Sequence, residues 1–199
     1  EEFNNLGTQV QLEIFENYFE DLNQQLRVPQ ADSEYANRQK NIDNCISIFK
    51  TIGNTTYNTA GGYFLPPSDL HRIGTVIYKD EKELQRVERN DFLNINLSPL
   101  TKPTTQFPVY LYEQVVQGTG GANTGETHIF VKPTTIVTAA DITVSYIRKP
   151  ADIVWGYQQL GGGTWTSGPY IYNSATSTQF ELDNTEQTEV ILRILAYAG

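Results

Sequence analysis

The sequence predicts an α+β chain: an antiparallel β-sandwich or partial barrel, with two N-terminal helices and one C-terminal helix. Three observations carry that reading. Within residues 141–155 (DITVSYIRKPADIVW), Ile142, Val144 and Tyr146 alternate with Thr143 and Ser145, the period of a half-buried strand. Over residues 7–28, Val10, Ile14, Tyr18, Leu22 and Leu26 recur every four residues, and Phe15 and Phe19 widen the stripe into an amphipathic helix. Near the C-terminus, Val190, Ile191, Ile194 and Leu195 share one side of a helix that ends at Gly199. One domain is expected, with 1–53 helical, 63–182 β-rich and 183–199 the last helix. The strand in 141–155 is expected to be central, closed by Pro150, which has no N–H for a ladder. Ile153, Val154 and Trp155 follow it as further apolar bulk.

The remaining elements follow from local chemistry. Residues 1–6 read as an extended arm. Pro29 stops the first helix by disfavouring the helical region at Val28. A second helix is expected over 33–52, capped by Asp32 or Ser33. Ile42, Cys45, Ile46, Phe49 and Ile52 form its buried face, with Gly53 at the left-handed position after its end. The short connection predicts an antiparallel pair. Residues 54–62 read as a loop, 63–65 and 69–78 as strands, 79–83 as a charged turn and 84–88 as its return strand. A short helix over 91–100 would be capped by Asn90 or Asp91. Strands at 107–116 and 127–132 would pair across a flexible loop at 118–125. Residues 158–177 are Gly-rich yet carry Trp165, Tyr170 and Tyr172. Residues 178–182 alternate as a strand, and Asp183 and Glu186 have the spacing of a capping box.

With 199 residues and 39% hydrophobic composition the chain can bury a core, so it is no disordered tail. The net charge of −9 argues against a protein that grips phosphates with clustered Lys and Arg. The single cysteine, Cys45, excludes an intrachain disulfide; its apolar neighbours predict a small buried side chain rather than a reactive thiol. No apolar run approaches the ~20 residues needed to span a bilayer, and no signal-peptide pattern is present. The chain opens on Glu1 and contains no Met, so the natural sequence is expected to begin upstream.

Chemistry is sparse. The glycines at 118, 120, 121 and 125 lack the GK[ST] ending of a phosphate loop and read as a turn. His71 and His128 lack partners at metal-ligand spacing. Asp69 and His71 would share a strand face and make an acid–base pair if a nucleophile converged on them, but no GxSxG pattern occurs. The mixed charges of 79–88 read as a solvated face. Trp165, Tyr170 and Tyr172 are the candidate interaction residues, since exposed aromatics give contact area at low entropy cost; the bland reading is that these rings fold back to cover the core.

The runs FLPPSDLHRIGTVIY, SPLTKPTTQFPVYLYE and IFVKPTTIVTAADITVSYIRKPADIVW, then TQFELD and a terminal helix, give the chain an overall order of features. That order resembles the head-to-tail connector (adaptor) ring proteins of tailed bacteriophages, most of all those of crAss-like and other short-tailed phages. The likeness covers about residues 7–199 and rests on Leu65-Pro66 with Asp69, Pro103 before Pro108-Val109-Tyr110, Pro133, and Tyr146 before Pro150. It implies a non-enzymatic virion protein without cofactors, assembled in the host cytoplasm and located at the portal–tail vertex. It implies a homo-oligomeric ring, usually of twelve copies, beside the portal protein and adjacent connector or tail proteins. Viral DNA would pass its lumen without sequence-specific binding, and no membrane is involved. Acidic charge suits that role if it faces the bore, because phosphates are repelled from the wall.

Two other classes are weighed against it. A carbohydrate-binding host-attachment module would use Trp165, Tyr170 and Tyr172, but leaves the helices unexplained. A small hydrolase would be built on Asp69 and His71. A tail-hub or tail-tube component is the neighbouring virion reading.

Overall fold

Helix α1 (Glu2–Arg27) carries an acidic residue in its first turn and Arg27 in its last, both favourable to the helix dipole. Its buried residues Gly7, Val10, Gln11, Ile14, Phe15, Tyr18 and Phe19 repeat at the three-and-four spacing of one face. The expected extended arm is therefore corrected: 2–6 are helical, held by Phe3 against Trp155 (ring centroids 5.8 Å) and by Asn4. This is a computed structural model, and it describes residues 2–27, 33–114, 127–159 and 170–199, without the side chains of 33–36. The stop at Pro29, the cap at Asp32 and the loop at 118–125 lie outside the described residues.

The described chain divides into two units, one made of 1–49 with 149–199 and the other of 50–148. In the first, α2 (Ser33–Ser47) packs on α1. Ile46 and Phe49 are buried, and Phe15 meets Phe49 at 4.9 Å and Phe19 at 5.1 Å, both edge to face. The helix expected to reach residue 52 ends five residues earlier. Ile52 and Gly53 belong instead to a strand of the other unit, and Ile52 is exposed.

Helix α4 (Gln187–Ala198) packs on α1. Arg193 lies between Glu13 of α1 and Glu189 of α4, and the Tyr197 hydroxyl donates to Glu13 at 2.7 Å. Asp183 caps, but its Oδ1 accepts the Thr185 N–H of a single 3-10 turn (Asn184–Glu186) rather than opening α4. The strand expected at 178–182 is reduced to one bridge, Thr178 with Val154. Part of the expected loop at 158–177 is regular: β10 (Tyr157–Gln159) pairs antiparallel with β11 (Tyr170–Tyr172).

In the unit of 50–148, one sheet has the order β1 (Lys50–Asn54), β9 (Ile142–Arg148), β4 (Leu70–Tyr78), β5 (Lys82–Glu83). The expected central position of β9 is met: it pairs antiparallel with β1 on one side and β4 on the other. The second sheet runs β2 (Thr56–Asn58), β3 (Tyr63–Leu65), β8 (Thr127–Lys132), β7 (Val109–Gln114), β6 (Gln85–Arg86). All its pairs are antiparallel except β6 with β7. Neither sheet closes into a barrel. Phe64, Tyr110, Ile129 and Val131 of the second sheet join Val76, Ile142, Val144 and Tyr146 of the first in one buried cluster.

Short local signals decide this topology. Lys79 and Asp80 both have positive φ, 52° and 54°, as the two central residues of a type I′ turn do, and the Glu81 N–H donates to the Tyr78 carbonyl across the turn between β4 and β5. Thr143 donates to Asp80 Oδ1 at 3.2 Å and helps hold it. The return strand is two residues, not the expected 84–88: at buried Leu84 the chain leaves the first sheet, and Gln85 enters the second. The short helix is α3 (Arg89–Asn94); its N-cap is Glu88 without a side-chain bond, so Asn90 and Asp91 lie inside it. Gly74 sits where β4 slips register against β9, and a Cβ there would lie 2.8 Å from the Ser145 carbonyl oxygen.

The Tyr146 hydroxyl donates to Asp69 Oδ1 at 2.8 Å. Burial first, and then the Asp69 carboxylate, push this phenol up to about 12. The folded pKa exceeds the unfolded value of about 10, so the stabilisation is complete below about pH 10 and lost as pH rises toward 12. The stability difference between wild type and Tyr146→Phe should therefore be constant at lower pH and shrink across that alkaline window. Urea unfolding from about pH 8 to 12 measures it, and a difference that does not move with pH contradicts the assignment.

Candidate functional site

The candidate site is built on a strap. Three side chains of α1, at positions 4, 8 and 11, lie on one helix face. They grip alternate residues of an extended segment. Gln11 Nε2 donates to the Ala151 carbonyl (2.8 Å), the Ile153 N–H donates to Thr8 Oγ1 (2.9 Å), and the Trp155 N–H donates to Asn4 Oδ1 (2.8 Å). Helical spacing of three and four thus meets strand spacing of two, which fixes residues 151–155 along the helix. Gln11 Oε1 also accepts the Glu181 N–H at 2.9 Å, and Glu181 Oε2 accepts the Ala151 N–H at 2.9 Å.

The strap delivers Trp155 to a two-stranded ribbon. The register sets Tyr157 opposite Tyr172 and Gln159 opposite Tyr170, so three tyrosines and a glutamine share one face. Trp155 meets Tyr172 at 4.9 Å with the rings tilted, and Tyr157 meets Tyr170 at 5.2 Å edge to face. These rings are solvent-facing, from 41% exposed at Tyr172 to 68% at Tyr170. The Gln179 amide donates to the Tyr172 hydroxyl at 2.6 Å. Gly156 joins strap to ribbon: its N–H donates to Ser177 Oγ and its carbonyl accepts the Asn173 N–H, both at 2.9 Å. A Cβ at 156 would fall 2.2 Å from Thr176 Oγ1, so only glycine fits this approach.

Of the three expected interaction residues, Tyr170 and Tyr172 stand on β11 and Trp165 lies outside the described residues. Sequence reasoning missed Trp155 and Tyr157 and gave Trp155 to the apolar block; it is 54% exposed. The available signal was WGY, the same i, i+2 aromatic spacing as YIY.

Beside the ribbon, α1 and the 152–154 segment flank an open groove of about 850 Å³ that includes Asn4, Gln9, Asn17, Glu16, Asp152 and Arg193. A second hollow, about 460 Å³, is apolar, with Phe180, Leu182, Ile191 and Leu195 on its wall. Only Val190 of the α4 stripe is buried, while Ile191, Leu192 and Leu195 face solvent. Below α4, the Tyr18 hydroxyl is buried without a hydrogen-bond partner among the described residues, and its pKa is pushed up by burial first and then by Glu186. Half-burial and then the Glu189 carboxylate raise the Glu186 carboxyl. Burial, then Glu186, also raises the Cys45 thiol, the opposite of an activated nucleophile.

In the unit of 50–148, Leu93, Leu97, Leu100 and Phe107 are exposed on and after α3, the last three at 80% or more. Asp69 is engaged by Tyr146. His128 is buried and stacked on Tyr63 at 3.9 Å, a core position. Among the described residues no group of three or more His, Cys, Asp or Glu is placed to hold a metal ion, and no helix is long and apolar enough to cross a membrane. No protein-family model matches the chain, and no curated protein matches it.

Proposed function

We propose that this chain is a structural, non-enzymatic protein of a phage virion, forming a homo-oligomeric ring in the head-to-tail connector, where it retains the genome and passes it during infection. The observation that carries the reading is the run of exposed apolar side chains Leu93, Leu97, Leu100 and Phe107, of which Leu100 and Phe107 line one hollow. Large apolar side chains this open to water mark an interaction surface. A ring needs a heterologous interface, in which one patch of each copy meets a different patch of the next. The outer face of α4, with Ile191, Leu192 and Leu195, supplies a second patch of different composition. We read the unit of 50–148 as a β-sandwich, a rigid frame for such contacts. The order of sequence features resembling connector proteins and the charge of −9 point the same way.

The test is to mix the protein with portal-bearing capsids and image the mixture by electron microscopy. A symmetric ring at the outer face of the portal is expected. Rings only on tails would move the protein to a tail hub or tube, and no association with either overturns the reading. Leu97→Asp with Leu100→Asp should abolish ring density while leaving the far-ultraviolet circular dichroism of the free chain unchanged, since both side chains are exposed already.

A further inference from the structure

We propose that the groove along α1 and the aromatic ribbon beside it form one binding site for a neutral oligosaccharide. The two surfaces adjoin through Asn4 and Val154, which line the groove and are the sequence neighbours of Phe3 and Trp155. The groove volume lies within the ~300–1,000 Å³ of small-molecule sites.

The lining chemistry selects the ligand. Trp155, Tyr157, Tyr170 and Tyr172 offer exposed rings, against which the C–H face of a pyranose packs. The groove adds side-chain amides, Asn4, Gln9 and Asn17, which both donate and accept, as vicinal hydroxyls do. Its carboxylates, on Glu13, Glu16 and Asp152, accept only; Glu13 already accepts from Arg193 and Tyr197 and Asp152 pairs with Lys149, and any further bond to these oxygens needs a donor from the ligand. Sugar hydroxyls provide them. A proline-rich peptide, the other chain that favours aromatic grooves, has no N–H at its prolines.

Charge narrows the class further. Three carboxylates line the groove against one guanidinium, Arg193, which is already engaged by Glu13 and Glu189. Residues 153–159 and 170–180 contain no Asp, Glu, Lys or Arg. Phosphates, sialic acids and uronic acids meet no free cation here among the described residues, which disfavours single-stranded nucleic acid despite the stacking rings. The site is a second property of the chain, independent of ring assembly.

The experiment is a glycan array with neutral, sialylated and uronate-containing glycans, run with the whole chain, followed by calorimetric titration of the best neutral binder. Binding confined to neutral glycans is expected. Trp155→Ala and Tyr157→Ala should each weaken it by roughly tenfold or more, the loss typical of a contact hot spot. Gln9→Ala, on the exposed groove wall, should weaken it several-fold without touching the ribbon. No binding of any glycan, binding of acidic glycans only, or neutral binding unchanged in all three variants overturns the proposal. Since the assay needs no portal, its failure leaves the ring reading standing, and failure of ring assembly leaves this site standing.

Discussion

Replacing Gln11 by Leu is expected to cost about 2–5 kcal/mol of stability in the unit that contains α1. Gln11 is 1% exposed and sits amid apolar neighbours on its helix face, so its polarity is costly unless fully used. It is used twice, donating to the Ala151 carbonyl and accepting the Glu181 N–H. Leucine fills much of the volume but leaves both backbone groups without that partner, and each such loss is worth about 1–3 kcal/mol when the group stays dry. Glutamate separates the two bonds: its carboxylate still accepts from Glu181 but cannot donate to Ala151, and it sets a negative charge against that carbonyl. Chemical denaturation followed by tryptophan fluorescence reads the effect, since Trp155 ends the strap that Gln11 anchors. A loss below about 0.5 kcal/mol for Gln11→Leu, the range of surface changes, would mean that the strap is held by packing rather than by these bonds.

The strap also marks where sequence reading stops. β9 was legible because its apolar side chains alternate over a full strand and both its neighbours lie in the same unit. α1 was legible because seven buried positions repeat on one face. β1 was not. Ile46, Phe49 and Ile52 continue a spacing of three, so periodicity extends α2 through them. The pairing of Ile52 with Ser145 overrides it, and that partner lies far away in the chain. The two residues of β6 contain no period at all, and their parallel pairing with β7 is set by where Leu84 is buried. The site followed the same rule. Tyr170 and Tyr172 stood out in a Gly-rich stretch. Trp155 and Tyr157 were hidden by the apolar run before them, because residues 151–155 are positioned by side chains of α1 more than a hundred residues upstream. An apolar block followed by an aromatic looks like core until its cover is known.

The aromatic core of the helical unit gives the other large expected effect and shows the same distinction within one helix. Phe15→Ala should cost about 3–5 kcal/mol, because Phe15 is fully buried and loses edge-to-face contacts with both Phe19 and Phe49. The span of α1 between its neighbours is fixed by the strap at one end, so the cavity cannot simply collapse. Phe15→Leu should recover more than half of the loss, since most of the volume returns. Leu26 lies on the same stripe by sequence, eleven residues on, yet it is 57% exposed, and Leu26→Ala should stay within about 0.5 kcal/mol of wild type. Equilibrium urea unfolding of the three variants measures all of this. Equal losses for Phe15→Ala and Leu26→Ala would mean that the apolar stripe is covered along its whole length, and that α1 is buried well beyond Phe19.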